Sequence, residues 1–196
     1  MFIQVIQGKV RDAAHLNRQL ERWRREIKPG ARGYLGSTGG VTPDGRGILL
    51  VRFDSEEAAR ANSERGEQGT WWNETAKAFD GEVGFHDCRE VDTVLAGGSN
   101  EAGFVQVIQG RTRDQEEMRR LLSQFERQLH ERRPEILGTV TGWHGDGGFT
   151  EAVYFTSAES ARQAERATEN DELGRGFMEL IDGEPAFFDL PTPDLD

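Results

Sequence analysis

The chain has 196 residues, a formal charge of −11 and a mean hydropathy of −0.69. That charge excludes a nucleic-acid partner, which needs concentrated Lys and Arg, and disfavours an anionic membrane surface. The opening residues read directly into a strand, no apolar run reaches spanning length, and the single Cys88 cannot form an internal disulfide; the expectation is a cytoplasmic protein without signal peptide or membrane segment.

Phe2–Gly8 mixes β-branched and aromatic residues with spaced glutamines and ends at glycine, as a strand does. Asp12 then caps a helix whose apolar positions Leu16, Leu20, Trp23 and Ile27 form one stripe facing a core. Pro29-Gly30 ends it. A second strand near Tyr34–Val41 turns at Asp44-Gly45 into a third, Ile48–Phe53. A second helix should start after Asp54, with Glu57 three residues on, and its alanines allow close approach to a sheet. A further helical piece spans Thr70–Phe79, and Asp80-Gly81 leads into a fourth strand, Glu82–Arg89.

The same order then returns. FIQVIQG at Phe2–Gly8 reappears as FVQVIQG at Phe104–Gly110, and the offset of 102 holds without a gap through Asp80-Gly81-Glu82 and Asp182-Gly183-Glu184. About a third of the aligned positions are identical, which defines two repeats before any motif is read. Asp114 caps the second copy's first helix, and Met118, Leu122, Phe125 and Leu129 repeat the stripe. The expected divisions are 1–91, a linker at 92–103 containing Gly97-Gly98-Ser99-Asn100, 104–191, and a tail at 192–196.

Strand, helix, two strands, helix and strand is the α+β ferredoxin-like order: an antiparallel sheet with helices on one face. The first strand nonetheless carries apolar residues on both faces, Ile3 and Val5 on one and Phe2 and Ile6 on the other. A bare sheet face of this kind would be an aggregation hazard, so the two repeats are expected to pack sheet to sheet as an intramolecular dimeric α+β barrel. With the FxQVIQG strand, the capped helix, the VRFDSEEAAR and VYFTSAESAR junctions and an aromatic fourth strand, the chain resembles the antibiotic-biosynthesis-monooxygenase-like group of the dimeric α+β barrel superfamily, as two fused copies.

The resemblance implies a reaction cavity between sheet and helices, and oxidation of quinol-type molecules without a cofactor or, in other members, haem degradation. Its active residues are Asn, Trp and Tyr or His, which points to Trp71, Trp72 and Asn73. Asn73 would hydrogen-bond a substrate oxyanion and Trp72 would form an apolar wall. Core packing is the competing role for the tryptophans, since Trp71 and Trp72 stand where the second repeat has Leu173 and Gly174. Gln4, Gln7, Gln106 and Gln109 occur in both repeats, which favours structural hydrogen bonding across a pseudo-twofold over ligand contact by Gln4 and Gln106. His86 and Cys88 share a strand face and form a weak candidate pair. His86 is kept as a catalytic candidate, and Trp143 and His144 as candidates for a pocket mouth. No metal and no cofactor is expected.

The function the resemblance implies is cofactor-independent monooxygenation of an aromatic or quinone-like small molecule. The alternatives are a non-catalytic pocket for a small apolar molecule, with haem as the ligand the resemblance offers, or a fused barrel that is purely structural. The expected assembly is a monomer with pseudo-twofold symmetry or a homodimer of fused barrels.

Overall fold

The computed structural model describes residues 1–95, 97–132, 134–169 and 172–196, without the side chains of 127–132, 167–169 and 173. Two compact units are present: Met1–Arg89 with Asp196, and Glu90–Leu195.

The first unit runs β1 (Phe2–Val10), α1 (Ala13–Arg22), β2 (Tyr34–Val41), β3 (Arg46–Phe53), α2 (Glu56–Ser63), α3 (Gly66–Thr75) and β4 (Phe79–Cys88). The second runs β5 (Glu90–Leu95), β6 (Phe104–Arg111), α4 (Gln115–Arg132), β7 (Ile136–Trp143), β8 (Gly148–Phe155), α5 (Ala158–Glu169), α6 (Glu172–Leu180), β9 (Ala186–Leu190) and β10 (Asp194–Leu195). The strands form two antiparallel five-stranded sheets, ordered β10-β2-β3-β1-β4 and β5-β7-β8-β6-β9. This is an α+β ferredoxin-like fold in two repeats. Each sheet is open; neither closes into a barrel on itself.

Local chemistry sets the helix starts. Asp12 Oδ1 accepts from His15 N at 2.8 Å, and Asp114 Oδ1 from Glu117 N at 2.9 Å, which satisfies backbone donors that a helix N-terminus leaves unpaired. The second helix of the first repeat starts one residue later than its sequence implied, and its counterpart starts at the matching place. Ser55 and Ser157 are the caps, their hydroxyls accepting from Ala58 N and Ser160 N at 3.1 Å. Asp54 and Thr156 precede them. The first helix of the first unit also differs from its counterpart. At Trp23–Ile27 it widens into a π-turn, whereas α4 continues as one α-helix. Leu129, the last member of the α4 stripe, lies outside the described side chains.

The fifth strand of each sheet is explained by one repeated glycine. In β2, Gly36 has φ +141°, and a methyl group placed there would lie 2.4 Å from the Asp196 carbonyl oxygen. At the matching position of β7, a methyl group on Gly138 would lie 2.1 Å from the Gly97 carbonyl oxygen. Only a residue without Cβ admits another chain so close. Glu90–Leu95 pairs with Trp143–Gly138 in register, so the segment read as a linker begins as a strand. The main chain of Asp196 exchanges hydrogen bonds with that of Ser37 at 2.8 and 3.0 Å.

Strand alternation sorts the first sheet into two faces. Phe2, Gln4 and Ile6 of β1 face the helices, with their in-register partners Phe53, Val51 and Leu49 on β3 and with Phe85 and Asp87 on β4. Ile3, Val5, Leu50 and Cys88 point to the opposite face and are fully buried.

Candidate functional site

A cavity of about 270 Å³ lies in the first unit between the helix-facing side of the sheet and the helices. Its sheet wall is Gln4, Ile6, Leu49, Val51, Phe53 and Phe85; its helix wall includes Leu20, Trp23, Asn62, Ser63, Gln68, Trp71 and Trp72. Aromatic rings run around it in contact order. Phe53 meets Tyr34 at 5.8 Å, Tyr34 meets Trp23 at 4.8 Å, Trp23 meets Trp71 at 6.3 Å, Trp71 meets Trp72 at 6.1 Å, and Trp72 meets Phe85 at 5.3 Å. Tilted and edge-on pairs at these distances reinforce one another beyond their buried area.

The indoles are fixed by their own hydrogen bonds. Trp23 Nε1 donates to Gln68 Oε1 at 2.8 Å, and Trp71 Nε1 donates to the Gln19 carbonyl at 2.7 Å, tying α3 to the first helix. Trp23 opens the π-turn, a feature often found where helices are adapted to a site. Tyr34 is held by its hydroxyl, 3.0 Å from both Ser37 Oγ and Asp196 Oδ2, while Lys28 pairs with the same carboxylate. Burial pushes the Tyr34 ionisation up, so it stays a neutral phenol. Phe85, 47% exposed, forms an open edge of the cavity.

The residues singled out from sequence separate clearly. Gln4, Trp71 and Trp72 line the cavity. Asn73 does not: it follows Trp72 by about 100° around the helix, which turns it outward, where it is exposed. His86 is excluded by alternation, since its neighbour Phe85 faces the cavity and His86 therefore faces away, opposite Val5. Cys88 shares that face, and burial pushes its thiol up to about 12, which leaves it unreactive. No cluster of metal-ligating side chains is found among the described residues.

Trp143 is a core residue of the second unit, 1% exposed, beside Phe149. Its Nε1 donates to Asp92 Oδ2 at 2.6 Å, and Arg119 lies over its ring at 5.3 Å. His144 Nε2 lies 2.9 Å from Thr150 Oγ1 and serves the β7–β8 hairpin. The glutamines also differ from expectation. Gln4 Nε2 donates to Asp87 Oδ1 and Gln106 Nε2 to Asp189 Oδ1, both at 2.9 Å, so each amide nitrogen has a partner on the neighbouring strand of its own sheet.

Comparing the repeats identifies a residue that motif reading missed. In the second unit Glu165 takes a hydrogen bond from Gln106 at 2.7 Å, and Arg162 binds both Glu165 and Asp189. A charged cluster therefore covers the Gln106 amide. The first unit has Ser63 where the second has Glu165, and Ser63 Oγ donates back to the Ala59 carbonyl at 3.0 Å. The shorter side chain leaves Gln4 facing the cavity. The signal was present in the sequence only as one of many positions at which the repeats differ, Ser63 against Glu165.

Haem, the alternative ligand implied by resemblance, does not fit the cavity. No histidine or cysteine among the described residues lines it, and the hydroxyl of its tyrosine is engaged by Ser37 and Asp196.

No family model and no curated protein matches the chain. Among solved structures it is similar to a candidate monooxygenase from Lactobacillus acidophilus NCFM, at 13% identity and TM-score 0.72, covering 98% of this chain and 94% of that one. It is similar to an anthrone oxidase-like protein at 14% identity and TM-score 0.67, over 99% and 92%. A heme-degrading enzyme from Listeria monocytogenes matches at 11% identity and TM-score 0.54, over 97% and 100%. At such identities the likeness establishes architecture and leaves function to the site. The chain has the ferredoxin-like fold of the antibiotic-biosynthesis-monooxygenase-like proteins.

Proposed function

We propose that the first unit binds a small aromatic or quinone-like molecule and oxidises it with molecular oxygen without a cofactor. The observation that carries the binding half is the ring-lined cavity, in which six aromatic side chains surround a few polar groups. The oxidative half is supported by the names of two proteins that share the fold, the candidate monooxygenase and the anthrone oxidase-like protein. The chemistry suits a substrate that ionises by itself, because no Asp, Glu, His or Lys among the described residues lines the cavity. The protein would hold the ring, exclude water, accept a hydrogen bond from a substrate hydroxyl at Gln4, and offer the amide NH₂ groups of Gln68 and Asn62 to the oxygen that ionises.

That same lack of an acidic or basic lining side chain, together with a Tyr34 phenol kept neutral by burial, favours a second reading, a carrier that binds without turnover. Oxygen uptake with a panel of anthrones and naphthohydroquinones separates the two. The enzyme reading expects uptake by wild type that falls at least tenfold in Ser63→Glu and is unchanged in Asn73→Ala. Binding without uptake anywhere in the panel leaves the carrier.

A further inference from the structure

Gln4 stands at the sheet wall of the cavity with one end of its amide already committed. Its partner, Asp87, lies directly opposite it in the β1–β4 register, 2.9 Å away. A carboxylate only accepts hydrogen bonds, so the amide must turn its NH₂ toward Asp87. The reverse orientation would set oxygen against oxygen. The Gln4 carbonyl oxygen is therefore the end presented to the cavity. The second unit repeats the arrangement with two acids, Asp189 and Glu165, around the Gln106 nitrogen.

The opposite wall has the complementary polarity. Gln68 Oε1 is taken by Trp23 Nε1, and Asn62 Oδ1 accepts from Arg65 Nη1 at 2.9 Å. Both residues line the cavity, and what each has left to offer there is its NH₂ group. The remaining lining hydroxyls have protein partners: Ser63 donates to Ala59 O, and Ser37 and Tyr34 pair with each other.

We propose that Asp87 is a positioning residue which, by holding the Gln4 amide, makes the cavity read ligand polarity: a hydroxyl donor at the sheet end and a carbonyl or ether acceptor at the helix end. The ligand class is an aromatic ring system with a free hydroxyl on one side and an acceptor oxygen on the other. The inference rests on reading the cavity as a small-molecule site, and adds which atom of Gln4 does the recognition and what sets it.

The test compares 1-naphthol with 1-methoxynaphthalene, which keeps the ring and replaces the hydroxyl proton with a methyl group. Tryptophan fluorescence titration gives both affinities for wild type, Asp87→Asn and Asp87→Lys, with circular dichroism confirming that each variant folds. Wild type should prefer the naphthol by about tenfold, the worth of one hydrogen bond to an otherwise unsatisfied acceptor. Asp87→Asn allows either amide orientation, so the preference should fall toward one. Asp87→Lys offers only donors, turns the Gln4 NH₂ into the cavity and should favour the methyl ether. Equal affinities in wild type, or the wild-type preference kept in Asp87→Lys, overturns the inference and leaves the site reading standing. No binding of either probe to wild type overturns both.

Discussion

Glu151 lies in the middle of β8, 4% exposed, opposite Ile108 on one side and Thr141 on the other. The first repeat has Leu49 at this place, on the cavity wall. No described cation pairs with the carboxyl. Burial pushes its pKa from 4.5 up to about 7, offset in part by the hydroxyls of Thr139 and Thr141. The sign follows from proton counting. In the unfolded chain the group loses its proton near 4.5, whereas the folded protein holds it to about 7. Between those values the folded state carries more protons, so stability is highest at the acid end and is lost as pH rises through 7. A gap of about 2.5 pH units at about 1.4 kcal/mol each amounts to about 3.5 kcal/mol. Exposed carboxylates work in the opposite sense: Arg111 holds Asp146 down at about 2, and its contribution disappears only in strong acid. The difference between wild type and Glu151→Gln therefore isolates the buried group. Urea unfolding followed by circular dichroism at pH 5 and pH 8 should show wild type losing about 2–3 kcal/mol more than the variant. Parallel pH profiles for the two proteins would refute the reasoning.

Other substitutions probe the scaffold. Gly138→Ala places a methyl group 2.1 Å from the Gly97 carbonyl, and should cost about 1–3 kcal/mol and speed amide exchange in β5. Asp12→Ala removes the cap of α1 and should cost about 1 kcal/mol in urea unfolding, with the aromatic cavity intact. Trp143→Ala deletes a buried indole and should cost about 3–5 kcal/mol, read as a large drop in melting temperature. Cys88 should resist a thiol reagent in the native protein and react once unfolded, because it is fully buried with its thiol pushed up to about 12.

Much of this fold could be read because its signals are local. The stripe Leu16, Leu20, Trp23, Ile27 has helical period, Asp12 and Asp114 have cap chemistry, and Asp44-Gly45 and Asp146-Gly147 make turns wherever they occur. The candidate site was legible only in part, because it depends on phase. Trp72 and Asn73 are adjacent in sequence and diverge by a quarter-turn of helix, so one lines the cavity and the other meets solvent. Phe85 and His86 diverge by strand alternation in the same way. The π-turn at Trp23 has no sequence signature. Gly36 and Gly138 were visible as matched residues, but their purpose appears only with the strands that approach them. Ser63 carries no motif at all; its meaning comes from standing opposite Glu165 in the repeat.

The central claim is that the first unit holds a ring-lined cavity left open by Ser63. It is tested most directly by titrating 1-naphthol into wild type and Ser63→Glu and following chemical shifts of the Trp23, Trp71 and Trp72 indole N–H groups. The account predicts saturable shifts of these signals in wild type, loss of them in Ser63→Glu, and no change at Trp143 in either protein. Unchanged binding in Ser63→Glu, or shifts confined to Trp143, would contradict it.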